Sequence, residues 1–147
     1  MDIWKFQRVI LRRLVIWAGM SIVLGLAFLL YRHEYWYGMS IQFMAWAVVN
    51  LAIAFFGKRN LERRYTALNR AERQAQAETE RAKLVRTLWI NTILDAFYII
   101  GGRLVMIYLG RTSPLWDGMG LGIILQGSFL FFFDLIHARL AANIATK

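Results

Sequence analysis

Two acids and several amides recur at helical spacing in this chain. Asn91, Asp95, Tyr98 and Gly102 fall at i, i+4, i+7 and i+11. Gln126, Leu130, Asp134 and His137 fall at i, i+4, i+8 and i+11, with Leu130 the apolar member. Gln42, Trp46 and Asn50 fall at i, i+4 and i+8. On an α-helix each set lies along one face. Carboxyls among amides can hold or pass a proton, bind a small cation, or tie helices together by hydrogen bonds. Two acids in one apolar site do not both ionise cheaply, so at least one is expected to keep a proton or to find a cation or an arginine. His137, Arg12 and Arg13 are the expected partners of Asp134, and Asn50 and Asn91 those of Asp95.

The segments that carry these faces are almost uncharged. Residues 14–31 and 39–56 hold no formal charge, 87–108 hold only Asp95 and Arg103, and 118–136 hold only Asp134. About 20 apolar residues span a bilayer as a helix, so each segment is expected to cross one. A buried polar group in hydrocarbon is costly unless bonded, so the polar faces should point at one another. From the helical rise, Asn50, Asn91, Asp95 and Asp134 fall within about 3–12 Å of one membrane boundary and form an expected inner cluster. Gln42, Gln126 and Arg103 lie nearer the other boundary as a second, outer group. Arg103 can instead snorkel outward along its stem. The first segment offers only Ser21 as a non-aromatic polar side chain. Ser21 with Gly25, and Gly118 with Gly122, have the small-residue spacing of close helix packing. Gln42 to Asn50 and Gln126 to Asp134 share one spacing, which suggests that segments one–two and three–four are related hairpins.

The net charge of +9 is a matter of topology once the charges are placed. Lys5, Arg8, Arg12 and Arg13 precede the first segment, and the stretch between the second and third runs from Lys58 to Arg86 through seven further basic residues. Arg139 and Lys147 follow the fourth, whereas the other two loops carry only Arg32 and Arg111. Basic residues concentrate on the cytoplasmic side, so both termini and the middle loop are expected there, against anionic lipid. No nucleic-acid motif accompanies the charge. Residues 1–13 interleave Ile3, Trp4, Phe6 and Ile10 with basic residues, which suits a short interfacial helix. Residues 58–86 contain no Gly or Pro and are rich in Ala, Glu, Arg and Gln, so they are expected to form a helical cytoplasmic extension. Leu61, Tyr65, Leu68 and Ala75 give it a near-heptad apolar stripe that could dock on a partner or on its own return segment.

Several chemistries are set aside. The chain has no cysteine, which removes thiolate catalysis, disulfides and iron–sulfur ligation. His33 and His137 fall at opposite ends of a ~30 Å core and cannot share a haem. There is no phosphate-binding glycine loop followed by Lys-Ser/Thr and no G-x-S-x-G. Two acids are few for a dedicated cation cage, so no metal and no cofactor is expected.

Three stretches carry a resemblance. They are Gln42-Phe-Met-Ala-Trp-Ala-Val-Val-Asn50, then Trp89-Ile-Asn-Thr-Ile-Leu-Asp95 with Tyr98 and Gly101-Gly102, then Gln126-Gly-Ser-Phe-Leu-Phe-Phe-Phe-Asp134 with His137. In these the chain resembles a bacterial family of four-span membrane proteins of unknown function. The resemblance implies that the polar positions belong to a family pattern and supplies no activity.

The expectation is an all-α membrane protein: one domain, residues 1–147, an antiparallel four-helix transmembrane bundle with cytoplasmic N- and C-termini. It should be a multi-pass protein of the inner cell membrane. The leading functional reading is a non-enzymatic assembly or interaction module, a homo-oligomer or a subunit of a larger membrane complex. The alternative is a small carrier or channel for protons, cations or a polar solute that uses Asp95 and Asp134.

Overall fold

A computed structural model describes residues 2–145. Four long helices run up and down: α1 (Ile3–Phe28), α2 (Glu34–Ala67), α3 (Arg70–Val105) and α4 (Pro114–Ala142). A 3-10 turn at Leu29–Tyr31 continues α1, and a π turn at Met106–Gly110 continues α3. With these turns the helices are 29, 34, 41 and 29 residues long, and each is long and apolar enough to cross a membrane. Their outward faces are apolar: Val23, Phe55, Phe97 and Phe132 are all exposed.

Local chemistry sets the ends. Asp2 caps α1 by accepting the amides of Trp4 at 2.6 Å and Lys5 at 3.2 Å. Arg32 takes a left-handed conformation (φ 46°), and His33 Nδ1 then accepts the Tyr35 amide at 3.2 Å to start α2. Asn69 and Glu72 close a reciprocal capping box at the start of α3. Pro114 occupies the first turn of α4, where a missing N–H costs nothing.

The bundle is ordered α1–α2–α4–α3, with its tightest packing between neighbours in that order. Two glycine contacts set it. A Cβ on Gly38 would strike the carbonyl of Leu115, and one on Gly118 would strike the carbonyl of Tyr35. The contact is reciprocal, three residues back on each helix, so the parallel α2 and α4 touch backbone to backbone around a pseudo-twofold. A Cβ on Gly102 would stand 2.8 Å from the Gly120 carbonyl, and one on Gly120 would stand 2.7 Å from that of Gly102, which brings α3 onto α4. The pseudo-twofold pairs Gly38 with Gly118, so Gln42 corresponds to Gly122. The sequence echo between Gln42 and Gln126 is therefore one turn out of structural register.

The first residues do not form a separate interfacial helix. Residues 3–13 are the opening turns of one continuous α1, and their apolar face is buried. Ile3, Trp4, Phe6 and Ile10 pack with Leu61, Leu88, Ala138 and Ala141 into a core at the basic end of the bundle. The reason is that Leu61 of α2, Leu88 of α3 and Ala138 and Ala141 of α4 together present an apolar surface that these first turns cover. Gln7 donates to Glu80 at 3.3 Å, and Arg64 bonds the same carboxylate at 2.6 Å. Arg8 pairs with Glu62 at 2.8 Å. The apolar stripe of 58–86 is largely spent on this contact, since Leu61 is buried and Tyr65 and Leu68 pack against the same core.

Candidate functional site

Asp95 on α3 and Asp134 on α4 face each other across the bundle. Helical side chains lean toward their own N-terminus, and α3 and α4 run in opposite directions. Asp95 therefore leans toward the basic end and Asp134 away from it, so the two carboxyls converge closely enough to interact. Asn91, one turn before Asp95, brings its amide beside Asp134 as well. Gly127 makes the approach possible, because a Cβ there would lie 3.3 Å from the Tyr98 Cβ and 3.5 Å from the Asp95 carbonyl. Asp95 is 4% exposed and Asp134 8%.

Two carboxyls brought together in an apolar interior do not both ionise cheaply, so the surroundings favour one proton and one negative charge on the pair. Asp95 Oδ2 is buried and has no hydrogen-bond partner, and Asn50 Nδ2 on α2 is in the same condition. The two are level. Trp46 on α2 meets Tyr98 on α3 ring edge to ring face, with centroids 5.0 Å apart. From that contact Asn50 lies about 6 Å and Asp95 about 4.5 Å toward the basic end, at ~1.5 Å per residue. Asn50 is 1% exposed. A buried donor and a buried acceptor, each unpaired, are a costly arrangement.

The remaining polar positions form separate sites. Gln126 does not join an outer cluster. It accepts from Trp17 Nε1 at 3.0 Å and donates to Ser21 Oγ at 3.1 Å, which fastens α4 to α1. Trp17 also stacks on Phe129 with centroids 3.5 Å apart. Gln42 lays its methylenes in the space left by Gly122. Arg103 is exposed on the outer surface of α3, and Tyr98 is 45% exposed.

His137 is not a partner of Asp134. Its Nε2 lies 2.9 Å from a terminal guanidinium nitrogen of Arg13, and its Nδ1 lies 2.6 Å from the Phe133 carbonyl oxygen. Guanidinium has no acceptor, so Nε2 accepts, Nδ1 donates, and the ring is the neutral Nδ1–H tautomer. His137 looks away from Asp134 because its own turn supplies the carbonyl. Sequence reasoning overlooked Trp17, which reads as one more apolar ring until the amide of Gln126 is found beside it. Glu80 is buried and bonded by Arg64 and Gln7 from two other helices, and local spacing, which allows it an arginine partner, does not encode that burial.

Four helices long and apolar enough to cross a membrane, closed around a buried acid–amide site, define an all-helical bundle with an apolar exterior. The chain belongs to DUF6992, a family of unknown function, whose model matches residues 13–135. That match takes in the carboxyl pair, Asn50, Asn91 and Gln126, and leaves His137 and the first turns of α1 outside it. No curated protein and no solved structure matches the chain.

Proposed function

We propose that this is a small multi-pass protein of the inner membrane that carries protons, alone or in exchange for a small cation, through the Asp95–Asp134 pair. The observation that carries the reading is the pair of unpaired buried atoms, Asp95 Oδ2 and Asn50 Nδ2, beside two carboxyls that do not both ionise cheaply. A purely structural glue would have closed those bonds. The basic end, with Lys/Arg on α1, on the α2–α3 turn and on the α4 terminus, is assigned to the cytoplasm by the positive-inside rule. Anionic headgroups would neutralise its ring of arginines.

The test is proton flux in liposomes. Wild-type protein under an imposed pH gradient should dissipate it, and Asp95→Asn and Asp134→Asn should each abolish the flux while remaining folded. Wild-type liposomes no leakier than empty ones, across both gradient directions and with sodium or potassium present, would defeat the reading. Topology is checked separately by cysteine labelling: single cysteines at positions 35 and 115 should react from outside, and one at position 70 only from inside.

A second reading, assembly with itself or within a larger membrane complex, keeps one support. Gly19 on α1 and Gly101 on α3 have nothing within 4 Å of a built Cβ, so both helices offer outward faces on which another helix could pack closely. Native mass spectrometry from mild detergent separates monomer from oligomer.

A further inference from the structure

The basic tip of the bundle contains a cleft that the carboxyl site does not use. Its volume is about 500 Å³, and α1, the end of α2 and the start of α3 all contribute to it. Lys5, Arg70 and Arg73 bring three positive charges to its walls, and Asp2 brings one negative charge. Among the described residues, none of these three cations is ion-paired with a carboxylate. The carboxylates nearby are engaged elsewhere. Asp2 Oδ1 takes the Trp4 and Lys5 amides, Glu72 takes the Asn69 amide, and Glu62 takes Arg8.

Arg73 is held in place rather than solvated. Its guanidinium lies 4.1 Å from the centre of the Tyr65 ring, its Nε donates to the Asn69 carbonyl at 3.2 Å, and its own carbonyl accepts Trp4 Nε1 at 3.4 Å. Arg8 lies over the same Tyr65 ring at 4.2 Å. Two guanidiniums on one ring with a single carboxylate between them leave an uncompensated charge that an anion would relieve. The start of α3, at Arg70, adds the positive end of the helix dipole to the same wall.

We infer that this cleft binds the phosphate group of a small phosphorylated solute. Arg70, Arg73 and Lys5 would supply the cationic donors, and the free oxygen of Asp2 would take a hydroxyl or amine on the same molecule. Three cationic side chains around one cleft suit the charge of a phosphate dianion better than that of a monoanion. Lys5 stands nine residues before Leu14, about 14 Å beyond the start of the apolar run at ~1.5 Å per residue. That distance favours a dissolved phosphate ester over a lipid headgroup. The inference is independent of proton carriage, since the two sites share no residue.

Full-length protein in a neutral detergent is titrated with inorganic phosphate and with glycerol phosphate and followed by ³¹P NMR line broadening and calorimetry. In a parallel arm, nanodiscs of phosphatidylcholine with or without phosphatidylglycerol report lipid retained on the protein. Saturable binding of the soluble phosphates, weakened about tenfold or more by Lys5→Gln with Arg70→Gln, is the expected result, the loss of one or two charge-assisted hydrogen bonds. Both side chains are exposed, so the double variant should fold, and Arg111→Gln at the opposite end is the control. Phosphatidylglycerol retention that needs the same two residues, without binding of soluble phosphate, would assign the cleft to a headgroup phosphate instead. Absence of both, or binding equal in the double variant and wild type, overturns the proposal.

Discussion

Asp95 and Asp134 converge from antiparallel helices, and the amide of Asn91 lies beside Asp134. The asymmetry makes the two acids unequal: Asp134 is the better solvated by protein dipoles, and Asp95 is left with an unpaired oxygen. Asparagine at position 95 can still donate to Asp134, so Asp95→Asn should cost no more than about 1–2 kcal/mol, the scale of one interhelical hydrogen bond. Asp134→Leu should cost more, because it strands both Asn91 and Asp95 in the interior. Thermal unfolding in detergent, read by circular dichroism, ranks the two. Severe unfolding of Asp95→Asn would mean that an ionised carboxylate is required there.

Gln126 is fully buried and serves one donor, Trp17 Nε1, and one acceptor, Ser21 Oγ, at once. Gln126→Leu keeps the volume and leaves Trp17 Nε1 and Ser21 Oγ unpaired. The expected destabilisation is about 1–3 kcal/mol. The double variant with Ser21→Ala should be less than additive, because the second change removes one of the stranded groups. Strict additivity in unfolding experiments would show that the bonds are not coupled.

Two glycines on α4 and α3 should respond in opposite directions. Gly118→Ala sets a methyl against the Tyr35 backbone, which cannot give way, and should cost at least the ~1–3 kcal/mol of overpacking. Gly101→Ala meets open space and should stabilise α3 by about 0.5–1 kcal/mol through helix propensity. A destabilising Gly101→Ala would reveal a second chain packed on that face.

Glu62 titrates at the basic tip. The hydrogen bond from Arg8 is the main reason that its carboxyl sits below its ordinary value of 4.5, with the charges of Arg8 and Lys58 adding to it. A depressed folded value means that the pair stabilises the fold above pH 4.5 and that the contribution fades as pH falls through the folded value. Arg8 and Glu62 side chains are 34% and 39% exposed, so the effect is small and screened by salt. Melting temperature followed from about pH 6 down to pH 3 should fall less steeply for Glu62→Gln than for wild type at low ionic strength. Identical slopes would remove the pair from the stability of the tip.

The sequence by itself determined the four long helices, their apolar exteriors and the gathering of basic charge at one end. These follow from run length, periodicity and composition, which act locally along the chain. It also placed the acids and amides on defined helix faces, because 3.6-residue periodicity is a local property. Which faces meet was decided only in three dimensions. Asp95 finds Asp134 rather than Asn50 because Gly127 lets α3 close on α4. Gln126 finds Trp17 and Ser21 because α1 lies on its side of α4. Residues 3–13 look like an interfacial helix by pattern, yet their apolar face packs into a core with α2, α3 and α4. Contacts between residues as far apart as Gln7 and Glu80 depend on backbone separations set by a few glycines, and no local pattern encodes them.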